Sequence, residues 1–286
     1  MPIRDTDVVF DTDSMAPANT GLIPRDYQSF PVGYYQQGYQ FGMRAVKDIE
    51  LIPFEEWPER IRQKDADKSW LSDIWDALNI DALDQDGQGY CWSYSTTGAV
   101  MSLRARMGLP TVRLSGHALA CIIKNYRDEG GWGALSLDAA MNGLTKNGRT
   151  YKGIPSVLSW KEQSMSPSND TAACWENAAL HAPTEGFVDV EARVYDRELS
   201  AHQIGSLLLS DIPVISDYNW WGHSVQLQRI ADQAPAKSPR DPSRYATGCR
   251  NSWGNKWGIR GFGLLVGSKA WPNGAVAPRA CVVSQR

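Results

Sequence analysis

Gln85 to Ser95 reads QDGQGYCWSYS, a glycine-broken loop running into a Cys-Trp pair. Val100, Leu103 and Met107 follow at helical spacing, which predicts a helix from Cys91 to about Met107 with the thiol in its first turn. The first N–H groups of a helix lack intrahelical partners and carry the positive end of its dipole, so a thiol there is biased towards thiolate. Thiolate is the nucleophilic form, and Cys91 is therefore read as a cysteine activated to attack a carbonyl.

Two distant segments offer what such a nucleophile needs. WWGHSVQLQRI, residues 220–230, presents His223 at a Gly-His turn entering a strand-like run. RNSWGNKWGIRGFG, residues 250–263, presents Asn251 in a Trp- and Gly-rich block. A catalytic thiol needs a base, and the base needs a third group to hold its tautomer and ring orientation. Cys-Trp, Gly-His and Asn-Ser-Trp-Gly, in this order and with Gln85 upstream, resemble the papain-like (C1 type) cysteine peptidases. In that family the partners lie about 130–150 residues after the nucleophile.

The resemblance implies an α+β fold of two lobes, one helical and one a twisted antiparallel sheet, with the cleft between them taking an extended peptide. It implies that Cys91 is the nucleophile, His223 the base and Asn251 its orienting partner, with Trp253 shielding their contact. Gln85 would supply the oxyanion-hole side chain. Gly130, Gly131 and Trp132 would border the substrate, and Tyr90, directly before the nucleophile, would narrow the approach. No metal or other cofactor is required. Some features depart from the family pattern. Gln88 stands where a disulfide cysteine is common, Gly222 where a polar residue often precedes the His, and Ser93 and Tyr94 make the nucleophile helix unusually polar.

The chain has 286 residues, enough for a two-lobed domain with an arm. A net charge of −3 gives no electrostatic reason to propose nucleic acid or an anionic membrane as partner. A hydrophobic content of 42% with 12 Trp reads as globular. No apolar run reaches membrane-spanning length, and MPIRDTDVVFDTDSM lacks the pattern of a Sec signal peptide. Cys91, Cys121, Cys174, Cys249 and Cys281 are widely spaced and odd in number, which predicts free thiols and a reducing compartment. His117, His181 and His202 lack the setting of His223 and are read as packing or surface residues.

Along the chain, residues 1–48 read as an extended arm packed along the domain surface, rich in Tyr and Gln over 30–42, and 49–286 as the catalytic domain. Its helical lobe is expected over about 85–185, its sheet lobe over about 186–267, and a tail over 268–286. Residues 53–65 read as a short charged helix, and Trp70, Leu71, Ile74, Trp75 and Leu78 as the stripe of another. Further helices are expected over 114–126, 135–148 and 199–211, with a short one near ACWENAALHA. Strands are expected over 187–195, on both sides of His223, and over 248–267. Residues 231–245, with three prolines, read as a solvated insertion that sets Asn251 further past His223 than is usual.

The family's helical inhibitory propeptide has no counterpart in the pattern of residues 1–48, which argues against zymogen control of that kind. The arm instead suggests contact with a partner or neighbouring subunit, and a bacterial or bacteriophage member. The expected location is cytoplasmic or within a virion or similar assembly. Two rival functions stay open: a structural subunit of such an assembly that keeps the fold, and an amidase or transpeptidase whose thioester is resolved by an amine.

Overall fold

The computed structural model describes residues 9–10, 20–35, 50–190 and 197–283. After the short strand β1 (Val9–Phe10) come α1 (Trp57–Asp67) and α2 (Leu71–Ala77). Then follow α3 (Cys91–Arg106), α4 (Gly116–Lys124) and α5 (Gly133–Asn142). Next are the hairpin β2 (Leu144–Lys146) and β3 (Arg149–Tyr151), α6 (Ala172–Ala179), β4 (Pro183–Val190) and α7 (Arg197–Leu209). The chain ends with β5 (Val214–Tyr218), β6 (His223–Asp232), β7 (Tyr245–Arg250), β8 (Phe262–Leu265) and β9 (Gly274–Cys281).

Local sequence accounts for most helix ends. Ser115 caps α4 by accepting the Ala118 N–H, and Thr171 caps α6 by accepting that of Cys174. Helix α4 stops where Asn125 turns left-handed. Helix α5 ends at Gly143, short of the expected Gly148. Asn147 and Gly148 both take positive φ instead and close the β2–β3 hairpin, the turn chemistry that Asn-Gly favours.

Among the described residues the main sheet runs β1-β8-β7-β6-β5-β9-β4. Its pairs are antiparallel except β1 with β8, where Val9 and Phe10 of the arm lie against Leu264 and Leu265. The expected tail is corrected here: β9 pairs with β4 on one side and β5 on the other, inside the sheet. Pro278 and a second proline just before the strand masked it in sequence. Pro278 sits beside the irregularity between Thr184 and Phe187, the kind of place where a strand tolerates proline. The proline-rich insertion is shorter than expected, because β6 runs on to Asp232 and β7 begins at Tyr245. The strand expected over 187–195 is β4, shifted earlier; residues 191–196 lie outside the described ones.

The two largest apolar cores among the described residues lie on either side of α3. One joins α1 and α7 to the sheet through Trp57, Ile61, Ile204, Leu208, Leu227, Tyr245 and Leu265. The other holds Trp75, Trp92, Leu119, Trp160 and Trp175 among the helices. Helix α2 spans both, with Trp70 in the first core and Trp75 in the second.

Between the cores lies α3, buried from Cys91 through Arg104. Its polar residues serve this position. Ser95 Oγ meets Ser224 Oγ at 2.7 Å, and Ser102 Oγ donates to Gln226 Oε1 at 3.0 Å while accepting from Gln228 Nε2 at 2.9 Å. Ser93 Oγ donates to the Gly116 carbonyl, and Thr96 pairs with Ser136. Gly98 permits the close approach to β6, since a Cβ there would lie 2.7 Å from Gln226 Nε2.

Gly205 is equally constrained: a Cβ on it would come within 2.0 Å of the Trp57 ring. Gly205→Ala gains about 1 kcal/mol of helix propensity. Overpacking against a buried indole costs roughly 1–3 kcal/mol, so net destabilisation is expected in urea unfolding. An unchanged or higher midpoint would show that Trp57 yields.

Candidate active site

Cys91 is the first residue of α3 and fully buried. Tyr90, at the cap position, offers no side-chain acceptor, so the Cys91 and Trp92 N–H groups are left to the thiol, while the Ser93 N–H donates to the Tyr90 carbonyl. Burial dominates and pushes the Cys91 thiol far up, and Asp217 adds to the push; the Ser224, Trp92 and Cys91 N–H groups act against it.

His223 opens β6, one residue before Ser224, whose backbone N–H meets the Cys91 thiol. Its Nε2 lies 2.7 Å from Asn251 Oδ1. That oxygen also accepts the Ser252 N–H at 2.7 Å, so it is an acceptor and His223 Nε2 carries the proton. Nδ1 is left as a lone pair, buried and without a hydrogen-bond partner. Burial pulls the imidazole down to about 4, and the Asn251 hydrogen bond only partly opposes this. The ring lies 4.6 Å from Trp253, tilted by 31°, and edge-on to Trp221 at 4.7 Å. These indoles keep water from the His223–Asn251 contact.

Gln85 is joined to the same loop across the lobes. Asp84 bridges Trp253 in an antiparallel pair, Gln85 N–H donates to the Ser252 carbonyl, and Ser252 Oγ donates to Gln85 Oε1 at 2.6 Å. The carboxamide is thereby oriented with Nε2 outward, towards the Gln88 carbonyl at 2.5 Å and the Thr20 carbonyl at 3.4 Å. Ser252 was not singled out from sequence, although it lies within the Asn-Ser-Trp-Gly block.

Residues 20–23 of the arm run through this site. Thr20 Oγ1 and the Leu22 N–H both donate to the Gly222 carbonyl. Gly131 N–H donates to the Gly21 carbonyl at 3.0 Å and Ile23 N–H to the Gly131 carbonyl at 2.9 Å, a parallel bridge centred on Leu22. Gly21 has φ +92°, and a Cβ there would lie 1.9 Å from the Gly89 carbonyl oxygen, so glycine is required. Beyond it, Arg25 forms a buried bidentate pair with Asp189 at 2.8 and 2.9 Å. Tyr35 accepts the Trp132 Nε1–H at 3.0 Å, and Phe30 lies 5.2 Å from the Trp132 ring. The arm expected on the surface thus crosses the residues predicted to border substrate.

Ser252 links Gln85 to Asn251 and so to His223, Cys91 meets the Ser224 N–H next to His223, and Gly130, Gly131 and Trp132 meet the arm. Tyr90 does not line the cleft as expected. It is fully buried in the helical core, its hydroxyl donating to the Arg127 carbonyl and its ring edge-on to His117. Successive helix-start residues point to different sides, which turns Tyr90 into the helical core when the Cys91 thiol meets Ser224 of β6. His117, His181 and His202 bond Tyr94, the Ile154 carbonyl and the Ile52 carbonyl respectively, as packing residues do. All five cysteines are free and buried. Among the described residues no helix is long and apolar enough to cross a membrane.

No family model and no curated protein sequence matches the chain. Solved structures do. Xylellain, a cysteine protease from Xylella fastidiosa, aligns with a TM-score of 0.52 at 14% identity, over 70% of this chain and 83% of that one. Digestive procathepsin L2 proteinase from Tenebrio molitor larval midgut gives 0.53 at 16%, over 73% and 67%. A recombinant stem bromelain precursor gives 0.53 at 16%, over 72% and 69%.

Two outcomes test this geometry. Ile23→Pro removes the N–H that donates to Gly131, a net bond of about 0.5–1.5 kcal/mol, so Cys91 should alkylate with iodoacetamide about 2- to 10-fold faster. An unchanged rate would mean that the arm does not limit access. A thiol pKa raised by burial confines thiolate to the alkaline side, so alkylation of the intact chain should keep climbing above the ordinary thiol value of about 8.5. The Ile23→Pro profile should rise at lower pH, and coincident profiles would contradict the assignment.

With these neighbours and this arrangement of helices and sheet, the chain has the two-lobed α+β fold of the papain-like cysteine proteases.

Proposed function

We propose that the chain is a cysteine peptidase that hydrolyses peptide bonds through Cys91, His223 and Asn251. The observation that carries this reading is the His223 ring, protonated at Nε2 towards Asn251 with an unpartnered Nδ1, one residue from the Ser224 N–H that meets the Cys91 thiol. Of the solved structures with this fold, xylellain is named a cysteine protease and procathepsin L2 a proteinase, which agrees with it.

In the reaction, Cys91 Sγ gives its proton to His223 Nδ1 and attacks the scissile carbonyl carbon. The oxyanion of the tetrahedral intermediate accepts from Gln85 Nε2–H and the Cys91 N–H, each such donor being worth about 3 kcal/mol in comparable sites. Collapse breaks the C–N bond, and the amine leaves with the proton held by imidazolium. Water, deprotonated by the now neutral His223, then attacks the thioester and releases the acid and the Cys91 thiol. Asn251 keeps the ring in the tautomer that both steps need.

In the form described, the arm holds the substrate's place and the enzyme is latent. The Thr20 carbonyl lies at Gln85 Nε2, where the oxyanion would stand, and the chain runs from there towards Gly131. The acyl half of a substrate ends at the nucleophile, so along Gly131 it would run the opposite way. The reversed sense presents no arm peptide bond for attack.

An epoxysuccinyl peptide probe should label Cys91 in the Ile23→Pro chain, as mapped by mass spectrometry. His223→Ala should slow labelling by roughly 100-fold or more. Equal labelling of the other thiols, or indifference to His223, would remove the peptidase reading.

A further inference from the structure

Asp217, on β5, is only half accounted for by the fold. Its Oδ2 accepts the Gly133 N–H at 3.0 Å, at the start of α5. Oδ1 is buried without a close hydrogen-bond partner; the Ser224 side chain, directly across the β5–β6 pair, favours the charged form but leaves this oxygen open on the side of the arm. A carboxylate is a costly group to bury in this state, and a cap for α5 needs only one acceptor, which Asn or Ser would supply.

The space in front of the carboxylate is shaped by two glycines. A Cβ on Gly133 would lie 3.4 Å from Oδ1, and a Cβ on Gly274 would lie 3.6 Å from Oδ2. The same point at Gly274 is 3.0 Å from the Tyr27 hydroxyl, so the arm's phenol ends beside the acid. That hydroxyl is also buried without a partner. The Arg25 guanidinium lies 4.6 Å over the Tyr27 ring, and its charge is felt at Asp217. The arm therefore fills a slot with an apolar body, sets a polar tip near the acid and brings a positive charge towards it. Gly131, which pairs with the arm backbone, is two residues from the Gly133 wall. Asp217 is close enough to Cys91 to raise its thiol.

We propose that Asp217 is a specificity-determining residue: once the arm withdraws, its carboxylate is the floor of a substrate side-chain pocket, walled by Gly133 and Gly274, that takes lysine or arginine. The inference rests on the peptidase reading. A long aliphatic stem follows the path now taken by the phenol, and its cationic head supplies donors to Oδ1 and neutralises a charge otherwise buried alone. An acidic side chain is rejected by repulsion, and an aliphatic one leaves the acid unpaired.

The test uses the full chain carrying Ile23→Pro and Tyr27→Ala, which weakens the arm and vacates the slot. Epoxysuccinyl peptides identical except for Lys, Leu or Glu next to the epoxide are compared by their rates of Cys91 modification, with iodoacetamide reporting the thiol itself. The Lys probe should react at least about 10-fold faster than the Leu probe, with the Glu probe slowest. Adding Asp217→Asn, which keeps an acceptor for the Gly133 N–H, should bring the Lys and Leu probes to within about 2-fold of each other. Equal rates with Asp217 in place, or a Lys preference that survives Asp217→Asn, would overturn the assignment and leave the peptidase standing. If iodoacetamide modifies Cys91 but no peptide probe does, the peptidase reading falls and the assignment with it.

Discussion

The seam between α3 and β6 is the constraint on which the rest depends. A helix that carries Ser, Thr and Tyr on several sides would be poorly placed in an apolar core. Here its hydroxyls meet Ser224, Gln226 and Gln228 on one side and Ser136 and Gly116 on others, so the polar helix is satisfied in full burial. Ser95 opposite Ser224 fixes the register. One turn back along α3 is Cys91, and one residue back along β6 is His223. The seam thus sets which atoms of the two lobes can meet, before any substrate is present.

The loop that holds Asn251 repeats this logic. Ser252 orients Gln85 through its hydroxyl and carbonyl and, through its N–H, establishes Asn251 Oδ1 as an acceptor. One residue therefore couples Asn251, the hydrogen-bond partner of His223, to the Gln85 carboxamide. The indoles of Trp221 and Trp253 cover the ring on two sides and make the local medium dry, which strengthens the His223–Asn251 bond and holds the imidazole neutral.

The arm makes the closed form self-consistent. Its backbone gives Gly131 and Gly222 their hydrogen bonds, so the exposed main-chain groups of the cleft are not left bare. The Arg25–Asp189 pair anchors it away from the catalytic atoms. A buried pair of this kind adds little net stability, but losing one partner strands the other, at a cost of about 3–5 kcal/mol. Such a contact is better suited to holding a segment in one place than to stabilising the fold.

Sequence by itself determined which residues are candidates for the chemistry. Gln85, Cys91, His223 and Asn251 each sit in a short local signature, and the free cysteines and most helices follow from spacing and caps. What only the tertiary structure decided are features that depend on a distant partner. Strand β9 looked like a tail because prolines interrupt its pattern, and its place in the sheet is set by β4 and β5. Tyr90 is a neighbour of the nucleophile in sequence but belongs to the helical core, because a helix start sends successive side chains to different sides. Asp217 is one acid in a strand until Gly133, Gly274 and Tyr27 surround it. Residues 20–23 carry no signal of their own, since backbone pairing to Gly131 and Gly222 uses groups that every residue has. Local propensity is written in the side chains; a contact made by backbone across the fold is not.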